Sequence, residues 1–169
     1  MEKSQVIIFS NKKVDNEWKL RIYNREMARV TSVRFLGMWL DTRLTWKEHI
    51  DKIVNRCKRV LNTMKCMAGQ EWGADRGALQ TVYIAMIRSV LDYGSIAYGL
   101  AAKSQLEKLD RIQAQAMRIC CGAYPTTPIA AMQVEINEMP LNIRRQQLMA
   151  VYWTNLNSQN EVYIQQGKY

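Results

Sequence analysis

Residues 33–50 read VRFLGMWLDTRLTWKEHI, and the way this stretch divides decides the fold. Phe35, Leu36, Met38, Trp39 and Leu40 make its first half apolar and β-prone, Asp41, Thr42 and Arg43 form a short polar break, and an amphipathic helical pattern begins near Trp46. The residues on its N-terminal side alternate with a period of two; those on its C-terminal side repeat at a spacing of three and four. The stretch is therefore a seam. The expected fold class is α+β: small N-terminal antiparallel strands followed by a mainly α-helical bundle.

Toward the N-terminus, residues 5–10 (QVIIFS) read as a buried strand that ends in the polar cluster 11–16. Trp18, Leu20 and Ile22 then alternate with Lys19, Arg21 and Tyr23, a strand with one wet face. Asn24 and Arg25 suit a turn, residues 27–30 a weak strand and 33–40 a stronger one, so three or four antiparallel strands are expected.

Toward the C-terminus, Thr45 and Glu48 have the spacing of a capping box, in which each side chain satisfies a backbone donor near the other. The helix they open carries Ile50, Ile53, Val54, Cys57, Val60, Leu61, Met64 and Met67 on one stripe. Lys52, Arg56 and Arg59, with Lys58 and Lys65 beside them, fall on the other side. Its acids, Glu48 and Asp51, are confined to the first two turns, where the helix dipole favours them, and beyond them the face is purely positive. Most basic helix faces are simply solvated, so the stripe alone does not name a partner.

After Gly69, Asp75 suits the cap of a second helix reaching about Tyr98, with Leu79, Val82, Tyr83, Met86, Ile87, Val90 and Leu91 inward. Having so few charges, it is expected to be the central, most buried helix, weakened near Gly94. A third helix opens with a second box, Ser104 and Glu107, turns Leu106, Leu109, Ile112, Ala116, Met117 and Cys120 inward, and closes at Gly122. An extended connector, YPTTP at 124–128, leads to a short helix capped by Thr127. Pro140 starts a last helix through Leu156, and the polar residues from Ser158 are expected to fray. The expected divisions are 1–44 (β-rich), 45–122 (three-helix bundle), 123–157 (helical extension) and 158–169 (flexible tail).

The 169 residues are 48% apolar and 23% charged, globular values, and 24 Lys+Arg against 15 Asp+Glu give a net charge of +9. Residues 42–122 carry 13 basic and 7 acidic side chains, so two-thirds of the excess lies on the helical middle, where a polyanion such as nucleic acid would bind. No apolar run is long enough to span a membrane, and Glu2 with a short apolar run is unlike a signal peptide. Cys57, Cys66, Cys120 and Cys121 without such a signal suggest reduced thiols in an intracellular protein, nuclear or cytoplasmic. The first three fall on apolar stripes and read as core packing. No metal-ligand spacing links them to His49, and no phosphate loop or nucleophile constellation is present. The residues by themselves describe a basic protein that binds.

Longer strings add to this. FLGMWLD followed by LTWKEHI, then RSVLDYGSIAYG (88–99), LEKLDRIQAQAMRICCGAYPTTP (106–128) and the acid-Met-Pro-Leu run at 138–141 resemble, in one collinear order, non-LTR (LINE-type, Jockey and I-like) retrotransposon reverse transcriptases from the palm edge into the thumb. The resemblance implies that Lys3 is the lysine of a palm motif near the leaving pyrophosphate, and that Phe35, Leu36 and Gly37 form the primer-grip hairpin. It implies that the helices from Thr45 to Gly122 are the thumb, whose Lys52, Arg56, Lys58, Arg59 and Lys65 follow a template-primer or RNA-DNA duplex. It also implies that the acids holding magnesium in the parent polymerase lie in motifs before Lys3. The chain is then expected to hold no cofactor of its own and to incorporate no deoxynucleotides when purified alone. The alternative is a non-catalytic helical interaction or structural module that associates with itself or with a palm domain through Met38, Trp39, Trp46 and Trp72.

Overall fold

The computed structural model describes residues 4–12, 19–22, 24–69 and 73–166, with only the backbone of Arg25 and of 159–166. Lys3, Trp18, Tyr23, Trp72 and most of the polar cluster at 11–16 lie outside the described residues.

The seam resolves into a β-hairpin and a helix. Strands β5 (Ser32–Phe35) and β6 (Met38–Asp41) pair antiparallel, with Val33 opposite Leu40, Arg34 opposite Trp39 and Phe35 opposite Met38. The expected single strand over 33–40 is thus two. Leu36 and Gly37 turn between them with φ of 46° and 82°, and positive φ at both central residues gives the primed turn whose twist matches the flanking strands. The remaining strands, β1 (Gln5–Val6), β2 (Arg21–Ile22), β3 (Arg25–Glu26) and β4 (Ala28–Arg29), are two residues each. β2 and β3 pair antiparallel but β1 and β4 pair parallel, which corrects the all-antiparallel expectation. Alternation reports which face is wet and carries no information on strand direction. The pieces are knitted by Val30 N–H donating to the Val6 carbonyl at 2.9 Å and Ser10 N–H to the Thr42 carbonyl at 3.1 Å.

Helix α1 (Lys47–Met67) comes next, but without the expected capping box. The Asp41 carboxylate at the end of β6 instead accepts from the N–H groups of Arg43 (3.1 Å), Thr45 (3.0 Å) and Trp46 (2.9 Å) and from the Thr45 hydroxyl (3.1 Å). Trp46 takes φ 62°, and Glu48 turns to Lys52. Burial alone would raise the Asp41 carboxyl, but these hydrogen bonds outweigh it and hold it below the ordinary aspartate value. Asp41→Ala is expected to lower stability by about 1–2 kcal/mol at neutral pH. Because the folded pKa is depressed, this contribution is present above the unfolded value and is lost as pH falls through the folded one. In urea melts at pH 7 and pH 3, the gap between variant and parent should narrow at the lower pH.

Ile50, Ile53, Cys57, Val60, Leu61 and Met64 are buried on α1, as the stripe required. Cys66 is exposed, contrary to expectation, because nine residues at 3.6 per turn carry it half a turn round from Cys57. Against α1 lies α5 (Lys103–Cys121), which buries Leu109, Ile112, Ala116, Met117 and Cys120. Ala102 rather than Ser104 precedes its first turn, so the second capping box is also absent. Its end is as expected: Gly122 has φ 59°, and the Ala123 N–H returns to the Arg118 carbonyl at 3.0 Å.

The second helix departs most from the pattern. Asp75 caps α2 (Arg76–Val82) through Ala78 N–H at 3.0 Å, a π-helical segment runs over Tyr83–Arg88, and α3 (Ser89–Asp92) completes the run. Tyr93 and Gly94 then break the chain before α4 (Ser95–Tyr98). Leu79, Tyr83, Ile87 and Leu91 are buried, but Met86, expected inward, is exposed within the π-helical segment, and the paired α1 and α5 hold more of the core. Helix α6 (Ile129–Glu135) starts at Pro128 without help from Thr127. Pro140 does start α7 (Leu141–Gln166), which continues past Ser158. No described helix is long and apolar enough to cross a membrane.

Candidate nucleic-acid interface

The five basic residues singled out on α1 are all exposed but do not share one surface. At 3.6 residues per turn, Lys52, Arg56 and Arg59 line one side and Lys58 and Lys65 lie about a third of the way round. Lys58 looks into a groove between α1 and α5 with Lys108 and Arg111, where Asp51 pairs with Lys108 at 2.5 Å.

The first side faces the hairpin across a cleft of about 350 Å³ walled by Arg34, Trp39, Lys52, Arg56 and Tyr93, with His49 among the lining. Lys52 Nζ sits 2.9 Å from the Trp39 ring centroid and 2.9 Å from Glu48 Oε1. Arg34 and Arg56 have no ion pair among the described residues, and no carboxylate lines the cleft. Acids elsewhere are spent on partners: Glu135 on Arg76, Glu138 on Arg88, Asp92 on Arg144 and Asp110 on Arg145.

Two devices hold the hairpin in place. His49 is buried with its Nδ1 accepting from Trp39 N–H at 3.4 Å, its ring edge-on to Trp46 and Tyr98. Burial lowers its pKa, so it is a neutral imidazole here rather than a fourth cation. At the helix break, the Tyr93 hydroxyl donates to the Leu36 carbonyl at 2.6 Å, and a Cβ on Gly37 would stand 3.2 Å from that hydroxyl. Gly94, with φ 70°, lets Met38 close in: an added Cβ would lie 2.5 Å from its sulfur. Beyond these anchors the tip projects, with Phe35 58% and Leu36 71% exposed.

The structure thus joins Phe35, Leu36 and Gly37 to Lys52 and Arg56 in one site, with Arg59 on the same helix side, and leaves Lys58 and Lys65 apart. Arg34, Tyr93 and Gly94 were missed as site residues. Arg34 was legible only as the wet position of a strand, and Tyr93-Gly94 only as a weak point in a helix. Met38, Trp39 and Trp46 are half-buried, against Gly94, Lys52 and the core, so they do not form the bare surface the alternative reading required. Burial raises the Cys57 and Cys120 thiols to about 11, so both are protonated core groups at neutral pH. Among the described residues no cluster of three metal-ligating side chains occurs.

No family model and no solved structure matches the chain. Curated proteins do. It is 27% identical over 124 residues to the RNA-directed DNA polymerase from mobile element jockey of Drosophila melanogaster, covering 73% of this chain and 14% of that protein. It is 27% identical over 88 residues to a probable RNA-directed DNA polymerase from transposon BS of the same organism, covering 52% and 10%. It is 24% identical over 116 residues to a retrovirus-related Pol polyprotein from type-1 retrotransposable element R1 of Nasonia vitripennis, covering 68% and 34%. The chain is thus similar in sequence to RNA-directed DNA polymerases of non-LTR retrotransposons, and spans from a tenth to a third of the length of these relatives.

Proposed function

We propose that the chain is the primer-grip and thumb portion of a non-LTR reverse transcriptase and that it binds template-primer nucleic acid. The observation that supports this best is the juxtaposition of an exposed hairpin tip, Phe35 to Gly37, with a cationic cleft that no acid among the described residues lines and the Lys52, Arg56 and Arg59 side of α1. Cations without base-edge partners suit phosphate contact, which positions a duplex without reading its sequence. On this reading Lys58 and Lys65 serve a different stretch of backbone or none, and the polymerase's metal-holding acids belong to other segments of the parent enzyme. The division into a β-rich segment at 1–44, a bundle at 45–122 and an extension beyond is part of the same proposal.

Reversing the charges of Arg56 and Arg59 together (Arg56→Glu, Arg59→Glu) is expected to weaken binding of an RNA-DNA primer-template at least about 30-fold, since two phosphate contacts become repulsions. Both side chains are exposed, so the fold should survive, as circular dichroism can check. Undiminished binding by the variant would refute the assignment. The interaction-module reading finds its support elsewhere, on α7, where Ile143, Val151, Tyr152 and Trp153 are exposed. It predicts concentration-dependent self-association, readable by sedimentation, with little response to the arginine changes.

A further inference from the structure

We infer that the cleft between the β5–β6 hairpin and α1 seats a terminal phosphate monoester, the group found at the end of a nucleic-acid strand or on a free nucleotide. This rests on the nucleic-acid reading of the same site and names the part of the ligand that enters. The cleft's volume of about 350 Å³ lies at the small end of ligand sites, room for about one nucleotide and not for a duplex.

Charge selects the group. Arg34 from the hairpin and Lys52 and Arg56 from α1 converge on the space, no acid among the described residues lines it, and Glu48 neutralises Lys52 alone. Among the described residues two positive charges remain uncompensated. An internal phosphodiester brings one negative charge, whereas a phosphate monoester brings about 1.5 to 2 at neutral pH and three acceptor oxygens for two guanidinium forks. His49 adds no charge, because its Nδ1 already accepts from Trp39 N–H. The walls are also fixed before any ligand arrives. Arg34 is held opposite Trp39 by the ladder, and the hairpin is pinned by Tyr93 through Leu36. A recess whose backbone is already set spares that part of the ordering cost of binding. A strand end can enter such a recess with one backbone, while an internal phosphate would have to bring two.

The test compares three labelled single strands of one sequence, bearing a 5′-phosphate, a 3′-phosphate or neither, by fluorescence anisotropy. A 5′-mononucleotide and inorganic phosphate are titrated separately by calorimetry. At least one phosphorylated strand should bind about tenfold more tightly than the unmodified one, as two added charge-assisted hydrogen bonds require. Arg34→Gln should erase that increment. Arg59→Gln, on the same helix side but outside the cleft lining, should weaken all three strands alike. Equal affinity for the three strands, or an increment that survives Arg34→Gln, overturns the inference while leaving the polymerase reading intact. Failure to bind any strand, with Arg34-dependent binding of the mononucleotide, would sink the polymerase reading and assign the seat to free nucleotides. Failure to bind either strand or mononucleotide overturns both, and binding of inorganic phosphate alone would mark an adventitious ion only and overturn the seat.

Discussion

Arg88→Ala is expected to lower folding stability by about 3 kcal/mol, because it takes the nearest cation from a buried carboxylate and leaves it only the Tyr83 hydroxyl and the charge of Arg144. The Glu138 side chain is 2% exposed, and Arg88 Nη1 holds it at 3.1 Å. Arg88 also approaches Asp92 at 3.8 Å, and Asp92 in turn receives Arg144 at 2.8 Å, so the chain of charges ties the π-helical segment and α3 to the start of α7. Burial pushes the Glu138 carboxyl above the ordinary glutamate range, with Arg88 first among the groups that offset it. A raised folded pKa means that the native state holds its proton longer than the unfolded chain, so stability falls as pH rises through that window. Losing Arg88 raises the folded value further and widens the window. Urea melts should therefore show the variant penalised more at pH 8 than at pH 5, while Glu138→Gln flattens the dependence. The paired replacement Arg88→Met with Glu138→Leu should cost less than Arg88→Ala, since neither charge is then left alone. An additive double variant would contradict the pairing.

Gly94→Val is the counterpart at the site, with an expected loss of about 2–4 kcal/mol. Two penalties coincide: a β-branched residue is forced to φ 70°, and its Cβ is driven to 2.5 Å from the Met38 sulfur. The hairpin, not the bundle, should yield, because α1 and α5 are packed independently of that contact. Hydrogen exchange should then lose protection over residues 32–41 and keep it over 50–64. Nucleic-acid affinity should drop about tenfold as Arg34 and the tip leave the cleft. Gly122→Val supplies the control: its φ is 59° but nothing lies within 4 Å of the added carbon, so only the penalty of a β-branched residue at positive φ, about 1–2 kcal/mol, applies. Equal effects at the two glycines would mean that Met38 packing does not hold the hairpin.

These two changes mark where sequence reading reaches its end. The inward stripe of α1, from Ile50 to Met64, and that of α5, from Leu109 to Cys120, were legible because an amphipathic helix repeats its burial every three or four residues. Gly122 was legible because only glycine suits its left-handed turn cheaply. The capping of α1 was not, since beyond the Asx turn to Arg43 the Asp41 carboxylate reaches forward four and five residues from a strand end, past the span of a helix-capping motif. Nor was the π-helical segment, which shifts the register of Met86 through tertiary packing rather than composition. At the site, α1 supplied Lys52, Arg56 and Arg59 to sequence reading, and the resemblance supplied Phe35 to Gly37. Arg34 could join them only once the strand pairing was known, because its position opposite Trp39 and across from Arg56 depends on a hairpin docked 57 residues away at Tyr93.

The most direct test is the salt dependence of primer-template binding by the purified chain, measured by fluorescence anisotropy at about 50 and about 200 mM monovalent salt. With about two phosphates neutralised by Arg56 and Arg59, and Lys52 already paired with Glu48, the affinity should fall about 12-fold between the two, a logarithmic slope near −1.8. The Arg56→Glu, Arg59→Glu variant should lose most of that slope. An affinity that is insensitive to salt, or a slope unchanged in the variant, would contradict a phosphate-tracking role for this side of the helix.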